Sequence, residues 1–352
     1  MRPPRLLFQS RNRRGLGHLM RGLNLARAIR RQDPATEIVF YARHHSAEAL
    51  CEPDFRAIVE EDADGMRQWP EVVHAVAPDV VVYDTMLPAD PAEVAAAPAA
   101  RRVFVMRKVR ADKQADVLSH PFLQHVDLVL VPHTRDEFGH TLPASLDRKT
   151  VFVGPIVRLP DPGRQDRVRS AYHLAPGDFV VTSTVGGGGF ADQAEAFFAT
   201  VYAIHRALEQ RLPRLRHIVV QGPNFGGVLA PLPGMTVVEY EPDLIDLLAI
   251  SDLVVAEGGY NTVNEIRVAR TPAVFLPSVR NLDDQEERVR ALERAGLAAV
   301  YVGLEPDAIA ARVAEVCTAP EWLAGVRRRY AADRVETGNQ AAAERILELV
   351  GR

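Results

Sequence analysis

Four glycines in a row, Gly186, Gly187, Gly188 and Gly189, follow closely on the apolar run Phe179-Val180-Val181-Thr182. A strand that ends in residues without a Cβ lets a phosphate or a sugar approach bare backbone N–H groups, and a helix after such a turn aims its positive end at the same point. The feature predicts an α/β unit with a nucleotide-diphosphate site, opening mid-chain where a second domain would begin. The first strand of the chain also runs into a glycine-bearing turn, Arg14-Gly15-Leu16-Gly17-His18. Two such crevices predict two ligands.

A length of 352 residues exceeds the size at which a single core stops growing, so two domains are expected. Short apolar runs at 5–10, 37–41, 79–83, 102–106, 128–131 and 151–153 alternate with stretches able to form helices, the first marked by Leu19, Leu23, Ala26 and Ile29 at helical spacing. The proline- and glycine-rich stretch 154–163 interrupts the rhythm and reads as a linker. The rhythm then resumes, with strands near 178–183, 217–221, 235–239, 253–256, 273–276 and 298–300. Helices are expected near 192–210, 244–249, 262–269, 285–295 and 306–316, and a last one over 340–350 carries an apolar stripe that must be buried somewhere. The expected fold class is therefore α/β, with two Rossmann-like, doubly wound domains at 1–157 and 158–335, followed by a C-terminal segment at 336–352.

Composition excludes several classes. Apolar residues at 47% and charged residues at 25% are ordinary for a folded soluble chain, and a net charge of -4 gives no general basis for holding a nucleic acid. No apolar window approaches the length of a membrane span or of a signal-peptide core, so a cytoplasmic protein is expected; peripheral membrane contact through an apolar and basic patch stays open. Cys51 and Cys317 read as two ordinary thiols. No G-x-G-x-x-G follows the first strand and no G-K-S or G-K-T closes a glycine run, which disfavours hydride transfer and ATP hydrolysis. No histidine and cysteine set has structural-metal spacing, and no metal is expected.

In open parallel sheets ligands gather beyond the carboxyl ends of the strands. His18 lies there, at the start of the first predicted helix, where the helix field favours the neutral ring; it reads either as a general base or as a surface or N-cap histidine. Arg11, Arg13 and Arg14 beside it form a basic cluster, either for an anionic group or simply solvated, and Lys108 sits in a similar position after the run 102–106. The second cluster is Glu257-Gly258-Gly259-Tyr260-Asn261-Thr262-Val263-Asn264-Glu265. Asn261 or Thr262 would cap a helix whose amides suit a phosphate, and Glu265 would accept both hydroxyls of a ribose, or else form a capping box with Thr262. In the third cluster, 277–287, Asp284 and Gln285 suit the hydroxyls of a sugar, or else Asp283 and Asp284 start a helix.

With these marks in place, the chain resembles the GT-B glycosyltransferase superfamily, in particular its bacterial MurG-related, family 28-like branch. The resemblance rests on Gly15-Leu16-Gly17-His18, on the segment 257–265, and on Pro272-Ala273-Val274-Phe275-Leu276-Pro277 with Asp284-Gln285. It implies two Rossmann-like domains with a cleft between them and a C-terminal helix crossing back to the first. It also implies a metal-independent transferase of hexose or amino-sugar groups from a UDP- or dTDP-sugar, with no other cofactor. His18 is implied as the base. Gly186, Gly187, Gly188, Gly189, Gly258, Gly259, Asn261, Thr262, Glu265, Asp284 and Gln285 are implied on the donor side; Arg11, Arg13, Arg14, Gly17 and Lys108 are expected on the side of a small or anionic acceptor. MurG-like enzymes carry a more glycine-rich first turn, so the arginines here argue against a lipid-linked peptidoglycan acceptor. A nucleotide-activated amino-sugar hydrolase, a nucleotide-sugar epimerase and a noncatalytic nucleotide-sugar-binding partner are the rival readings, and the oligomeric state is open between monomer and homodimer.

Overall fold

The computed structural model describes residues 2–11, 15–43, 45–60, 67–88, 90–333 and 335–351. They divide into two compact units, one made of residues 1–157 with 336–352 and the other of 158–335.

The first unit is built on seven strands: β1 (Arg5–Ser10), β2 (Glu37–Ala42), β3 (Arg56–Val59), β4 (Val80–Asp84), β5 (Arg101–Val105), β6 (Leu128–Val131) and β7 (Thr150–Phe152). They form one sheet in the order β3-β2-β1-β4-β5-β6-β7, and every pairing is parallel. A parallel sheet is covered on both faces, so its central strands read as continuous apolar runs. In β4, Val80, Val81, Val82 and Tyr83 are all fully buried. Trp69, Tyr41, Tyr83, Phe104 and Phe122 anchor the core on one face, and the Trp69 indole N–H satisfies itself on the Glu93 carbonyl at 2.8 Å. The edge strand β3 escapes sequence reading, being four residues long with none fully buried.

The final helix, Asn339–Glu348, belongs to this unit and packs on the helix Gly17–Gln32. Its stripe of Ala342, Ala343, Ile346 and Leu347 is buried. The chain is pinned on its way in: the Gly338 amide donates to the Pro155 carbonyl at 2.7 Å, and Asn339 Nδ2 donates to the Val157 carbonyl at 2.7 Å. Gly338 passes so near that a Cβ there would lie 2.4 Å from the Val153 carbonyl oxygen, so only glycine fits.

The second unit repeats the plan with β8 (Phe179–Thr184), β9 (Leu215–Val220), β10 (Met235–Val238), β11 (Leu253–Ala256), β12 (Ala273–Phe275) and β13 (Ala298–Val300). Their order is β10-β9-β8-β11-β12-β13, again parallel throughout. Helices missed by periodicity are Pro162–Ala171 and Pro320–Ala332. The first begins inside the proline-rich stretch read as linker, because Pro162 occupies the first helical position and Asp161 caps it by accepting from the Arg164 amide at 2.9 Å. In both sheets strand order reverses direction between the first strand and the fourth, β1 against β4 and β8 against β11. That is the place where a crevice opens at the carboxyl ends of the strands.

Candidate functional site

In the first unit the reversal point holds a charged cluster. The helix Gly17–Gln32 starts with Gly17, two residues earlier than its apolar spacing predicts, so His18 lies inside the first turn. The His18 ring is buried, and its Nδ1 stands 3.2 Å from the backbone carbonyl of Asp84 and 3.3 Å from Asp84 Oδ1. A carbonyl oxygen can only accept, so Nδ1 carries the proton and donates; Nε2 is left with the lone pair. Burial lowers the pKa of the ring, against the pull of Asp84, and Arg21 and Arg107 push the same way as burial.

Asp84 closes β4 and is itself clamped. Arg21 donates through Nε to Oδ2 at 3.0 Å and through Nη2 to Oδ1 at 2.5 Å, and the Thr85 hydroxyl donates to Oδ1 at 2.7 Å. Burial alone would raise this carboxyl, but Arg21 and His18 outweigh it and hold it well below the usual carboxylate range. Thr85 follows at φ 61°, in the left-handed region that a β-branched residue rarely enters. Such strain costs about 1–3 kcal/mol and persists where the surroundings dictate it. Here it turns the Thr85 hydroxyl back onto Asp84 and brings it to within 3.1 Å of Arg21 Nη2.

The other expected acceptor-side residues are scattered. Arg11 turns inward, its Nη1 donating to Glu93 Oε2 at 3.1 Å and to the Leu87 carbonyl at 3.4 Å. Arg13 and Arg14 lie outside the described residues. Lys108 is half-buried beyond β5, its backbone amide on His133 Nε2 at 3.2 Å.

In the second unit the three donor-side segments converge. Gly186 follows β8 after one residue, and a Cβ on it would lie 3.7 Å from Thr262 Oγ1. Gly186 and Gly188 both adopt φ 71°, and a Cβ on Gly188 would strike the Gln221 carbonyl at 2.7 Å, so the loop needs glycine for its conformation and its packing. The Gly186 amide donates to Thr184 Oγ1 at 3.1 Å, whereas the amides of Gly187, Gly188, Gly189 and Gly259 make no hydrogen bond among the described residues. Beyond them start the helices Ala191–Glu209 and Tyr260–Ala269, neither with a side-chain cap. Unbonded amides at two helix starts are chemically suited to an anion.

Two expectations change here. The helix of the second cluster starts at Tyr260 with Gly259 in the capping position, so neither Asn261 nor Thr262 caps it and Thr262 forms no capping box with Glu265. Gly258 serves packing: its amide donates to Gln285 Oε1 at 3.1 Å, and a Cβ would meet Val289 at 2.9 Å. Gln285 Oε1 also accepts from the Ser278 amide at 3.1 Å and the Ser278 hydroxyl at 3.2 Å. Asp284 is a helix cap, accepting from the Glu287 amide at 2.9 Å. Glu265 lies one turn into its helix and keeps part of its surface open, its carboxyl making no hydrogen bond among the described residues. Crowding by protein raises its carboxyl to about 7, against the pull of Arg158.

Among the described residues no group of three or more His, Cys, Asp or Glu side chains is placed to hold a metal ion, and no helix among them is long and apolar enough to cross a membrane.

Comparison with known proteins fits this arrangement. The glycosyltransferase family 28 C-terminal domain matches residues 185–329. The UDP-N-acetylglucosamine--N-acetylmuramyl-(pentapeptide) pyrophosphoryl-undecaprenol N-acetylglucosamine transferase of Symbiobacterium thermophilum is 28% identical over 330 residues, covering 86% of this chain and 85% of that protein. The chain is a GT-B-fold relative of the family 28 glycosyltransferases. Among solved structures, the spinosyn forosaminyltransferase SpnP superposes with a TM-score of 0.67 at 17% identity, covering 99% of this chain and 100% of that one. MurG of Acinetobacter baumannii does so with a TM-score of 0.62 at 16% identity, covering 98% and 100%. At those identities the likeness is one of fold.

Every donor-side residue picked out from the sequence falls within the stretch that matches the family 28 domain. What sequence reading missed are the partners. Asp84 had a legible signal, an acid ending the all-apolar strand Val80-Val81-Val82-Tyr83 at its carboxyl end. Arg21, buried at 1% exposure inside a helix, had none. Arg280 and Arg288 were also missed: Arg288 bonds the Gly258 carbonyl at 2.7 Å and pairs with Asp283.

Proposed function

We propose that this relative of the family 28 glycosyltransferases moves a hexose or amino-sugar group from a UDP- or dTDP-sugar to a hydroxyl or amine of a small or anionic acceptor, with His18 as general base. The observation that carries the reading is the placement of His18 Nδ1 against the backbone and side-chain oxygens of Asp84. Fixing the proton on Nδ1 against Asp84 makes Nε2 the atom that accepts the acceptor's proton, and burial keeps the ring neutral for that task. As the proton passes to Nε2, the acceptor oxygen or nitrogen forms its bond to the anomeric carbon. The bond from that carbon to the phosphate oxygen breaks, and its electron pair leaves with the nucleoside diphosphate.

The second unit supplies the other half of the reaction. The unbonded amides of Gly187, Gly188, Gly189 and Gly259, with two uncapped helix starts behind them, favour the charge that grows on the departing diphosphate. Glu265, whose carboxyl makes no hydrogen bond among the described residues, suits the ribose hydroxyls. Lys108, Gly17 and the arginines 11, 13 and 14 are the proposed acceptor side. A neutral imidazole held in this way can also take a proton from water, so hydrolysis of the nucleotide-sugar is the second reading. Product analysis separates the two: transfer yields a new sugar-bearing product, and hydrolysis yields free sugar. Loss of turnover in H18A with nucleotide binding intact supports His18 as the base, and unchanged turnover removes it.

A further inference from the structure

Thr85 brings no charge to the His18 cluster, yet its backbone is strained and both its amide and its hydroxyl are engaged there. The Thr85 amide donates to the Val105 carbonyl at 2.9 Å. In a trans peptide N–H and C=O point in opposite directions, so this bond turns the Asp84 carbonyl away from β5. That carbonyl stands 3.2 Å from His18 Nδ1. With φ at 61° the chain then folds back, and the Met86 amide donates to the same Asp84 carbonyl at 2.6 Å, closing a γ-turn of the rarer hand. The hydroxyl is fixed as firmly. Arg21 Nη2 donates to Thr85 Oγ1 at 3.1 Å, so the hydroxyl proton points elsewhere, and Asp84 Oδ1 at 2.7 Å is a nearer acceptor than the Val105 carbonyl at 3.3 Å. A glycine would make this turn without strain. The turn alone therefore does not account for a threonine, whereas the hydroxyl does.

These contacts bear on a single proton. The Nδ1–H of His18 faces two oxygens of Asp84, the uncharged carbonyl at 3.2 Å and the carboxylate Oδ1 at 3.3 Å. A carboxylate oxygen stabilises a protonated ring far more than a neutral carbonyl does. Oδ1 is already met by Arg21 Nη2 at 2.5 Å and by the Thr85 hydroxyl. The other charges that act on the ring are Arg21, from its own helix, and Arg107, just beyond β5, and both oppose protonation. Resting on the reading of His18 as base, we propose that Thr85 is a positioning residue for it: its backbone aims the Asp84 carbonyl at Nδ1 and its hydroxyl satisfies Oδ1, so that the ring proton is shared with a neutral oxygen and the ring is kept uncharged. The strain at Thr85 is then part of how the base is held.

The test follows the His18 ring by NMR in the full chain carrying isotopically labelled histidine, the His18 signal being the one absent from H18A. T85V keeps the shape of the side chain and loses the hydroxyl, which frees Oδ1 for Nδ1. Its ring titration should move up by about 0.5 to 1 pH unit, the worth of one such hydrogen bond. T85G, which makes the turn without strain and so folds readily, also lacks the hydroxyl and should move the same way. T85S, which keeps the hydroxyl, should titrate with wild type. The acid limb of turnover should move with the ring in each variant. A purely structural Thr85 would lower stability in T85V and leave the ring titration where it is in both T85V and T85G. That result overturns the proposal, as does a T85S shift as large as that of T85V. If instead the ring moves in T85V and the acid limb of turnover stays in place, Thr85 still governs the ring, and it is the assignment of His18 as base that fails.

Discussion

The two units share a strand order and differ in what fills the point where that order reverses. In the first unit the carboxyl ends of β1 and β4 carry His18, Arg21, Asp84 and the strained Thr85, with charges paired and every partner specified. In the second, the ends of β8 and β11 carry glycines and bare amides. One topology thus offers two chemistries. A buried, hydrogen-bonded imidazole suits a proton transfer, while backbone amides suit a diffuse negative charge that comes and goes with a ligand. A side-chain cluster has to be pre-paired to be buried at all, whereas amides at a helix start can wait for their ligand in contact with water.

The sharpest way to break this contrast is H18A. Turnover should fall about 100- to 10,000-fold, the range for loss of a general base, while affinity for the donor nucleotide stays within about twofold. Steady-state kinetics beside nucleotide titration reads both. A matching loss of nucleotide affinity would mean that the first unit's cluster serves the ligand assigned to the second.

Next in size is D84A, which strands the guanidinium of Arg21. Removing one partner of a buried ion pair costs about 3–5 kcal/mol. The loss should be confined to the first unit. The chain's two tryptophans separate the units, Trp69 in the first and Trp322 in the second. Urea unfolding of D84A in W69F and W322F backgrounds should therefore show a lowered midpoint from Trp69 and an unchanged one from Trp322. Equal shifts from both would make Asp84 a keystone of the whole chain and not of one unit.

Much of this was legible in the sequence, for reasons that also explain what was not. The central strands announce themselves because burial on both faces demands unbroken apolar runs, as in β4 and in Leu253–Ala256. The edge strand Arg56–Val59 does not, since nothing covers it fully. Glycine turns were legible because no other residue survives at φ 71° with a carbonyl 2.7 Å from its Cβ position. Pairing was not. Arg21 and Asp84 lie 63 residues apart, and only the parallel register of β1 on β4 brings them together. Likewise Gln285 looked like a sugar ligand because its residue type suits hydroxyls. Its oxygen also holds Gly258 and Ser278 in place, a use that appears only once the helix Gln285–Arg294 is packed.

A smaller effect separates the units by pH. Burial lowers the His18 pKa below 6.5, and the base works when neutral. Turnover should therefore be lost as pH falls through a value below 6.5, with H18A flat. In the second unit burial raises Glu265 to about 7, and its ionised form offers the better acceptor for ribose hydroxyls. Nucleotide affinity should thus rise with pH through about 7 and level off above it, dropping at most about tenfold per pH unit below. E265Q should bind with little dependence on pH. Should the acid limb of turnover persist in H18A, or the affinity step persist in E265Q, the assignment of each titration to its unit fails.

The smallest effect expected, and the one that bears most directly on how the donor is read, is that of D284A. If Asp284 only caps the helix Gln285–Arg294, its loss costs about 1 kcal/mol of stability in the second unit, visible through Trp322, and leaves affinity for every nucleotide-sugar unchanged. A residue that instead held a sugar hydroxyl would lower affinity for the sugar esters and spare the bare nucleotide. The carboxyl Oδ1 is already committed to the Glu287 amide at 2.9 Å, so a sugar hydroxyl would fall to Oδ2. The first unit again gives the measure: there the oxygens of Asp84 are bound by Arg21, His18 and Thr85, and the service proposed for it is to orient a neighbour. By the same logic a carboxylate already bonded inside its own unit, as Asp284 is to the Glu287 amide, should act on a ligand through the segment it holds.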